Sequence, residues 1–205
     1  MKRILISQRR DPVAGRDETR DSLDVRLPAI LFNLGFLPVP LCSDIKQHED
    51  YIRQLEPDGV FISGGNNLGE HPHRDSLEHA LLTYAEKEKL PVMGLCRGTQ
   101  MINHYLGGGL ESVQGHVASR HQLLGLWAEN KGYGEVNSYH DFAITEKTLA
   151  AQLRALAWTA DGVIEAVAHK SLPWLGIMWH PEREPSVAPQ DAVLIQQHFK
   201  GRHKT

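Results

Sequence analysis

The sequence predicts a three-layer α/β sandwich, with a mostly parallel central sheet and a small antiparallel addition toward the C-terminus. Three observations carry that expectation. Short apolar runs alternate with segments of helical spacing from Arg3 to Leu106, the pattern of strand–helix–strand units covered on both faces. Ser7-Gln8, Ser63-Gly64-Gly65 and Cys96 each fall at the C-terminal end of such a run, where parallel sheets open toward ligands. Beyond Gly107-Gly-Gly109 the segments shorten and turns separate them.

Arg3 to Ser7 reads as a first buried strand, followed by a loop at Asp11-Pro-Val-Ala-Gly15 with turn residues. From Asp17 to Asn33, Leu23, Leu27, Ile30 and Leu31 recur at helical spacing, with Gly35 as the stop. Pro28 lies inside that pattern and is expected to kink or break the helix. Leu37-Pro-Val-Pro-Leu41 is a second strand whose prolines suit a sheet edge. A short helix carries Tyr51, Ile52 and Leu55. Gly59 to Ser63 is the third strand, and Leu77 to Lys89 is a helix with its charges arranged to suit the dipole. A fourth strand ends at Cys96, and a helix runs from Thr99 to Leu106. Short strands are expected at Leu110–Val113, Leu123–Leu126, Gly134–Val136, Ile164–Ala168 and Trp174–Ile177. A closing helix spans Pro185 to Phe199, with a frayed tail from Lys200.

The 205 residues, with no internal repeat or dividing linker, are expected to form one domain over 1–205. A net charge of −3 argues against a general polyanion surface, so no nucleic-acid partner is expected. Ile4-Leu5-Ile6 is too short for a signal peptide or membrane span. Cys42 and Cys96 are the only cysteines and could pair, but reduced thiols and a cytoplasmic location are expected.

The chemistry centres on Gly94-Leu95-Cys96-Arg97-Gly98. It is the thiol counterpart of the Gly-x-Ser-x-Gly elbow, in which flanking glycines let a strand turn sharply into a helix and project the nucleophile. The N-terminus of that helix should favour thiolate, and backbone N–H groups at the turn can receive an oxyanion. A buried structural cysteine before a glycine turn satisfies the same pattern. A nucleophilic cysteine needs a base and a group to orient it. Leu175-Gly-Ile-Met-Trp-His180-Pro-Glu182 delivers a histidine at a strand end with a carboxylate two residues on; a plain turn with a surface carboxylate is the alternative. His71-Pro-His73 lacks a Cys, Asp or Glu cluster, so it reads as an exposed loop and no metal is expected. Asn66-Asn67 could form an anion nest. Arg9, Arg10 and Arg20 fall near the expected crevice mouth, where they could meet a phosphate.

Gly94-Leu-Cys96-Arg-Gly98-x-Gln100 together with Trp179-His180-Pro-Glu182 resembles the class I glutamine amidotransferase domain, and within it the γ-glutamyl hydrolase branch. The resemblance covers nearly the whole chain. It implies a flavodoxin-like core and a triad in which Cys96 attacks, His180 shuttles the proton and Glu182 orients His180. It also implies an oxyanion hole from the Gly65 and Arg97 amides. Gln100 is placed by it beside the glutamyl group. Ser138, Tyr139 and His140 resemble the segment that grips the glutamyl α-carboxylate, and His116 and His121 resemble pocket histidines of the branch. The implied reaction cleaves a γ-glutamyl amide through a thioester and uses no cofactor. Asn137 to Ile144 and Glu18 to Asp24 resemble small hydrolases tied to surface-polysaccharide building blocks, which act on γ-glutamyl-CDP-ethanolamine. Two other readings remain: a glutaminase subunit passing ammonia to a separate synthase, and a thiol sensor or chaperone-type protein. A homodimer is left open.

Overall fold

The structure, a computed structural model, describes residues 1–201, so the expected tail from Arg202 onward lies outside the described residues. Strand β1 (Lys2–Ile6) carries fully buried Ile4, Leu5 and Ile6. The next stretch departs from expectation. Residues 9–22 form a hairpin of β2 (Arg9–Pro12) and β3 (Thr19–Ser22), with Arg10 opposite Asp21, and helix α1 covers only Arg26–Asn33. Both strands are polar, so no apolar alternation announces them. Pro28 falls in the first turn of α1, where an N–H has no intrahelical partner to lose, and the helix runs through it.

Strand β4 (Phe36–Pro40), helix α2 (His48–Leu55) and strand β5 (Gly59–Ile62) follow as expected. Helix α3 (Pro72–Lys87) starts earlier than Leu77. Pro72 takes the first helical position, Asp75 the first turn and Lys87 the last, each favourable there. His71-Pro-His73 is therefore a helix start rather than an exposed loop, and His73 Nδ1 lies 2.8 Å from Asp44. Strand β6 (Val92–Leu95) leads through Cys96 into α4 (Arg97–Tyr105).

Then come β7 (Glu111–Ser112), β8 (Val117–Gln122), α5 (Leu126–Asn130), β9 (Glu135–Tyr139) and β10 (Phe142–Ala143). The strand expected at Leu123–Leu126 lies upstream instead, in polar β8, and Leu126 opens a helix. Strands β11 (Leu153–Trp158), β12 (Ile164–His169) and β13 (Trp174–Ile177) precede a 3-10 turn at Pro181–Arg183 and helix α6 (Pro189–Lys200). Of these, β11 is a strand beyond the expected set.

The main sheet has the order β11-β12-β13-β6-β5-β1-β4. From β13 to β4 all neighbours are parallel; β12 and β11 run antiparallel. Trp174–Ile177 thus belongs to the parallel core, contrary to its expected place in the addition. β4 is an edge strand, where Pro38 and Pro40 need no outer partner.

Alternate residues of each strand feed two apolar layers. Ile4, Ile6 and Phe61 pack with Leu31 of α1 and Phe199 of α6 on one face. Leu5, Val60 and Val92 pack with Ile52 of α2, Leu81 of α3 and Ile102 of α4 on the other. Each such side chain, fully buried, contributes about 1.5–3 kcal/mol. This is a flavodoxin-like sandwich. Among the described residues, no helix is long and apolar enough to cross a membrane.

The register sets the functional rim. Ile177 pairs with Leu95, so the chain leaves β13 level with Cys96. β5 is the other neighbour of β6 and releases Ser63-Gly64-Gly65 at the same end.

Candidate active site

Cys96 stands between β6 and α4 with φ 51° and ψ −107°, a strained conformation for a residue with a side chain. Its surroundings hold it there. Its N–H donates to the Ile177 carbonyl at 2.7 Å, and its carbonyl accepts from the Thr99 and Gln100 amides at 2.9 and 3.1 Å. The Thr99 hydroxyl donates to the same Ile177 carbonyl at 2.7 Å. Both flanking glycines are sterically required. A Cβ on Gly94 would stand 2.7 Å from the Thr99 nitrogen, and one on Gly98 would collide with the Ile62 carbonyl.

Cys96 is 5% exposed, and burial pushes its thiol up to about 12, although the Arg97 amide pulls the other way. This runs against the expectation of a helix-stabilised thiolate: loss of hydration outweighs the Arg97 amide at the helix start. Such a sulfur must lose its proton to a base when it attacks.

His180 is positioned by three elements. β13 delivers Met178 and Trp179 into the core, and the Trp179 indole N–H donates to Asp191 of α6 at 3.0 Å. The Asn137 side chain on β9 accepts from the His180 N–H at 2.8 Å and donates to its carbonyl at 2.9 Å. The 3-10 turn then folds Glu182 back, so that His180 Nδ1 donates to Glu182 Oε1 at 2.6 Å. That bond fixes the ring's tautomer and leaves Nε2 to the cleft side. Nε2 is buried and has no hydrogen-bond partner among the described residues. Cys96 and His180 line one cleft, and Cys96 Cβ and His180 Cε1 both lie within 4 Å of a single point beside Gly64. A side chain on Gly64 would crowd the imidazole, its Cβ standing 3.1 Å from that ring carbon.

Gly65 lines the same cleft with φ 82°, and Arg97 supplies the first-turn N–H of α4, which has no intrahelical acceptor. Sequence reasoning missed what fixes this loop. Arg74 of α3 is fully buried and donates to the Ser63 and Gly64 carbonyls at 2.8 and 3.0 Å, and to the Gly65 carbonyl. Its Nε donates to Glu78 at 2.8 Å, and Glu78 and Asp75 pair with the Arg97 guanidinium. Burial lowers both arginines, Arg74 to about 10 and Arg97 to about 9, leaving each charged at neutral pH. The i, i+4 spacing of Arg74 and Glu78 was the available signal, and it reads equally as a solvated helix face.

The remaining predicted residues divide. Gln100, Tyr139 and His140 line the Cys96 cleft. The Gln100 amide donates to the Phe142 carbonyl at 2.8 Å, and the Arg183 guanidinium lies 4.4 Å over the Tyr139 ring, which meets His180 edge-on. Ser138 is buried, its hydroxyl donating to the His116 carbonyl at 2.6 Å. His116 and His121 line neither cleft beside His180; with His140 they gather around Glu165. Arg9 and Arg183 line the second cleft beside His180. Arg10 is engaged with Ser43 and Asp44, and Arg20 with Glu18. The Asn67 amide is held by Glu70 at 2.8 Å, which removes it from an anion nest.

The chain matches the family model of glutamine amidotransferase class-I over residues 32–200. It is 35% identical over 156 residues to a gamma-glutamyl-CDP-amidate hydrolase from Campylobacter jejuni, covering 73% of each chain. It is 34% identical over 148 residues to an aminodeoxychorismate synthase from Streptomyces griseus, covering 70% of this chain and 19% of that one. In fold it is similar to a putative GMP synthase subunit from Thermoplasma acidophilum, with a TM-score of 0.71, 19% identity, and coverage of 98% of this chain and 94% of the other. The family model, the 35% relative and the shared sandwich agree, and the chain belongs to the class-I glutamine amidotransferase family.

Proposed function

We propose that this chain is a cysteine hydrolase that cleaves γ-glutamyl amides to glutamate and a free amine, acting as a single cytoplasmic domain. One observation carries the reading. His180 is oriented through Nδ1 by Glu182 at 2.6 Å and keeps an unpartnered, buried Nε2 in the cleft that contains Cys96.

The Cys96 sulfur adds to the γ-carbonyl carbon as His180 Nε2 takes the thiol proton. The oxyanion rests on the Gly65 and Arg97 amides, the first held by the Arg74 clamp on its loop. His180 returns the proton to the leaving nitrogen as the C–N bond breaks, and a γ-glutamyl thioester remains. Water attacks that thioester with His180 again as base, releasing glutamate and restoring the thiol. Gln100, Tyr139 and His140 border the pocket for the glutamyl group.

The leaving amine is proposed to be linked to a cytidine diphosphate, as in γ-glutamyl-CDP-ethanolamine, a building block of surface polysaccharides. Arg9 and Arg183 beside the His180 cleft, and the relative from Campylobacter jejuni, support an anionic leaving portion. A panel comparing kcat/KM for γ-glutamyl-CDP-ethanolamine, other γ-glutamyl amides and glutamine tests this. Preference for the nucleotide-linked amide is expected; equal rates with γ-glutamyl-p-nitroanilide would remove the nucleotide from the proposal. A second reading, a glutaminase subunit serving a synthase, is favoured by the match to part of the Streptomyces protein. Glutamine hydrolysis seen only with an added synthase would select it.

A further inference from the structure

We propose that His116, His121, His140 and Glu165 form a four-ligand site for a divalent transition-metal ion of the zinc type, adjoining the Cys96 cleft that His140 also borders. One ligand atom from each lies within 4.8 Å of all the others. Glu165 Oε1 is 3.3 Å from His140 Nε2, and 3.7 Å from both His116 Nδ1 and His121 Nε2. Zinc bonds of about 2.0–2.1 Å arranged as a tetrahedron set its donors about 3.3 Å apart. The three carboxylate–imidazole distances therefore stand within a few tenths of an ångström of that spacing.

The outer nitrogens of His116 and His140 are already used, which turns their inner ones toward Glu165. His116 Nε2 donates to Asp161 at 2.9 Å. His140 Nδ1 donates to the Phe142 carbonyl at 3.0 Å. A carboxylate or carbonyl behind a histidine in this way is the usual outer support of a metal ligand. Among the described residues, His116 Nδ1, His121 Nε2 and Glu165 Oε2 are buried without a hydrogen-bond partner, while His140 Nε2 reaches Glu165 Oε1. Glu165 is wholly enclosed and His116 and His140 nearly so. A buried carboxylate ringed by three imidazoles, with two of the ring nitrogens and one carboxylate oxygen unpaired, is costly unless something charged joins them. Three nitrogens and one oxygen suit zinc better than calcium or magnesium, which take mainly oxygen.

The consequence is mechanical. Four protein donors close the coordination sphere, as in structural zinc sites. The histidines flank and belong to the β8–β9 ribbon, whereas Glu165 lies on β12 of the main sheet. The ion would fasten that ribbon to the sheet. Asn137, which holds both backbone groups of His180, is on the same ribbon.

The test is metal analysis of the purified full chain, then chelation and reloading with cobalt(II) or zinc alone. The expected result is close to one zinc per chain. The apo chain should lose melting temperature and regain it with zinc, and the cobalt form should show the intense visible bands of tetrahedral coordination. His121→Ala, which removes the least buried ligand, should weaken zinc at least tenfold and abolish those bands. Glu165→Gln should do the same if the alanine variant fails to fold. Absence of metal as purified, with no cobalt bands and no zinc-dependent melting shift, would overturn the proposal and leave a proton-linked histidine–glutamate cluster. None of these readouts needs turnover.

Discussion

Asn137 grips His180 by both of its backbone groups, accepting from the N–H at 2.8 Å and donating to the carbonyl at 2.9 Å. The base is thus aimed by a neighbouring ribbon as well as by its own turn. Asn137→Ala should cost about 1–3 kcal/mol of stability from two buried hydrogen bonds. It should also lower kcat about tenfold to a hundredfold, as a misplaced catalytic group does. Asn137→Asp keeps the acceptor, loses the donor and sets a carboxylate beside Glu184, which now accepts from the amide at 2.8 Å. It should resemble the alanine variant. Urea melts and steady-state kinetics on the same preparations check both.

Arg74 is expected to act through the loop it clamps. Arg74→Leu frees the Ser63, Gly64 and Gly65 carbonyls from a common donor, so the Gly65 amide should lose its aim at the oxyanion. Misaiming one oxyanion donor costs about a hundredfold in kcat. KM should change little, because the ground-state carbonyl gains least from that amide. A rise in KM with kcat intact would contradict this placement.

The buried thiol gives a pH signature. With Cys96 pushed up to about 12, free enzyme holds a neutral thiol at pH 7. Iodoacetamide inactivation of free enzyme should therefore be slow and rise tenfold per pH unit from about pH 7 to 10. A plateau reached below about pH 8 would mean a preformed thiolate and contradict the proton transfer to His180 during attack.

Acid stability should depend on His198, whose Nε2 donates to the Val92 carbonyl at the start of the nucleophile strand. Burial holds its pKa down at about 4, below the 6.5 of an unfolded chain. As pH falls, the unfolded state takes up the proton first, so stability is lost from about pH 6.5 down to about 4. The ring is only partly enclosed, so the loss should be about 1–2 kcal/mol, below what the full shift implies. His198→Gln should flatten that portion of the curve, read as denaturation midpoints across the range.

The parts of the site that share a short stretch of chain were legible in the sequence. Gly94 is forced by its contacts with Gly98 and Thr99 just across the elbow, and Glu182 reaches His180 through a single turn. The parallel strands were legible because their apolar runs are continuous. The β2–β3 hairpin and β8 were not, since their residues are polar on both faces. β11, Leu153-Arg-Ala-Leu-Ala-Trp158, is rich in Ala and Leu and gives no strand signal of its own. Arg74 and the histidine cluster were hidden for a different reason. The carbonyls that Arg74 holds and the members of the histidine cluster lie on separate elements, so only the sheet order and the ribbon's placement bring them together.

One sulfur should carry the glutamyl group from the amine to water. Mass spectrometry of enzyme acid-quenched during turnover of a γ-glutamyl amide, with the modified peptide sequenced, tests it most directly. One γ-glutamyl group per chain is expected, on Cys96 alone and absent from Cys96→Ala. Turnover by Cys96→Ala at near wild-type rates, or glutamyl carried on another residue, would contradict it.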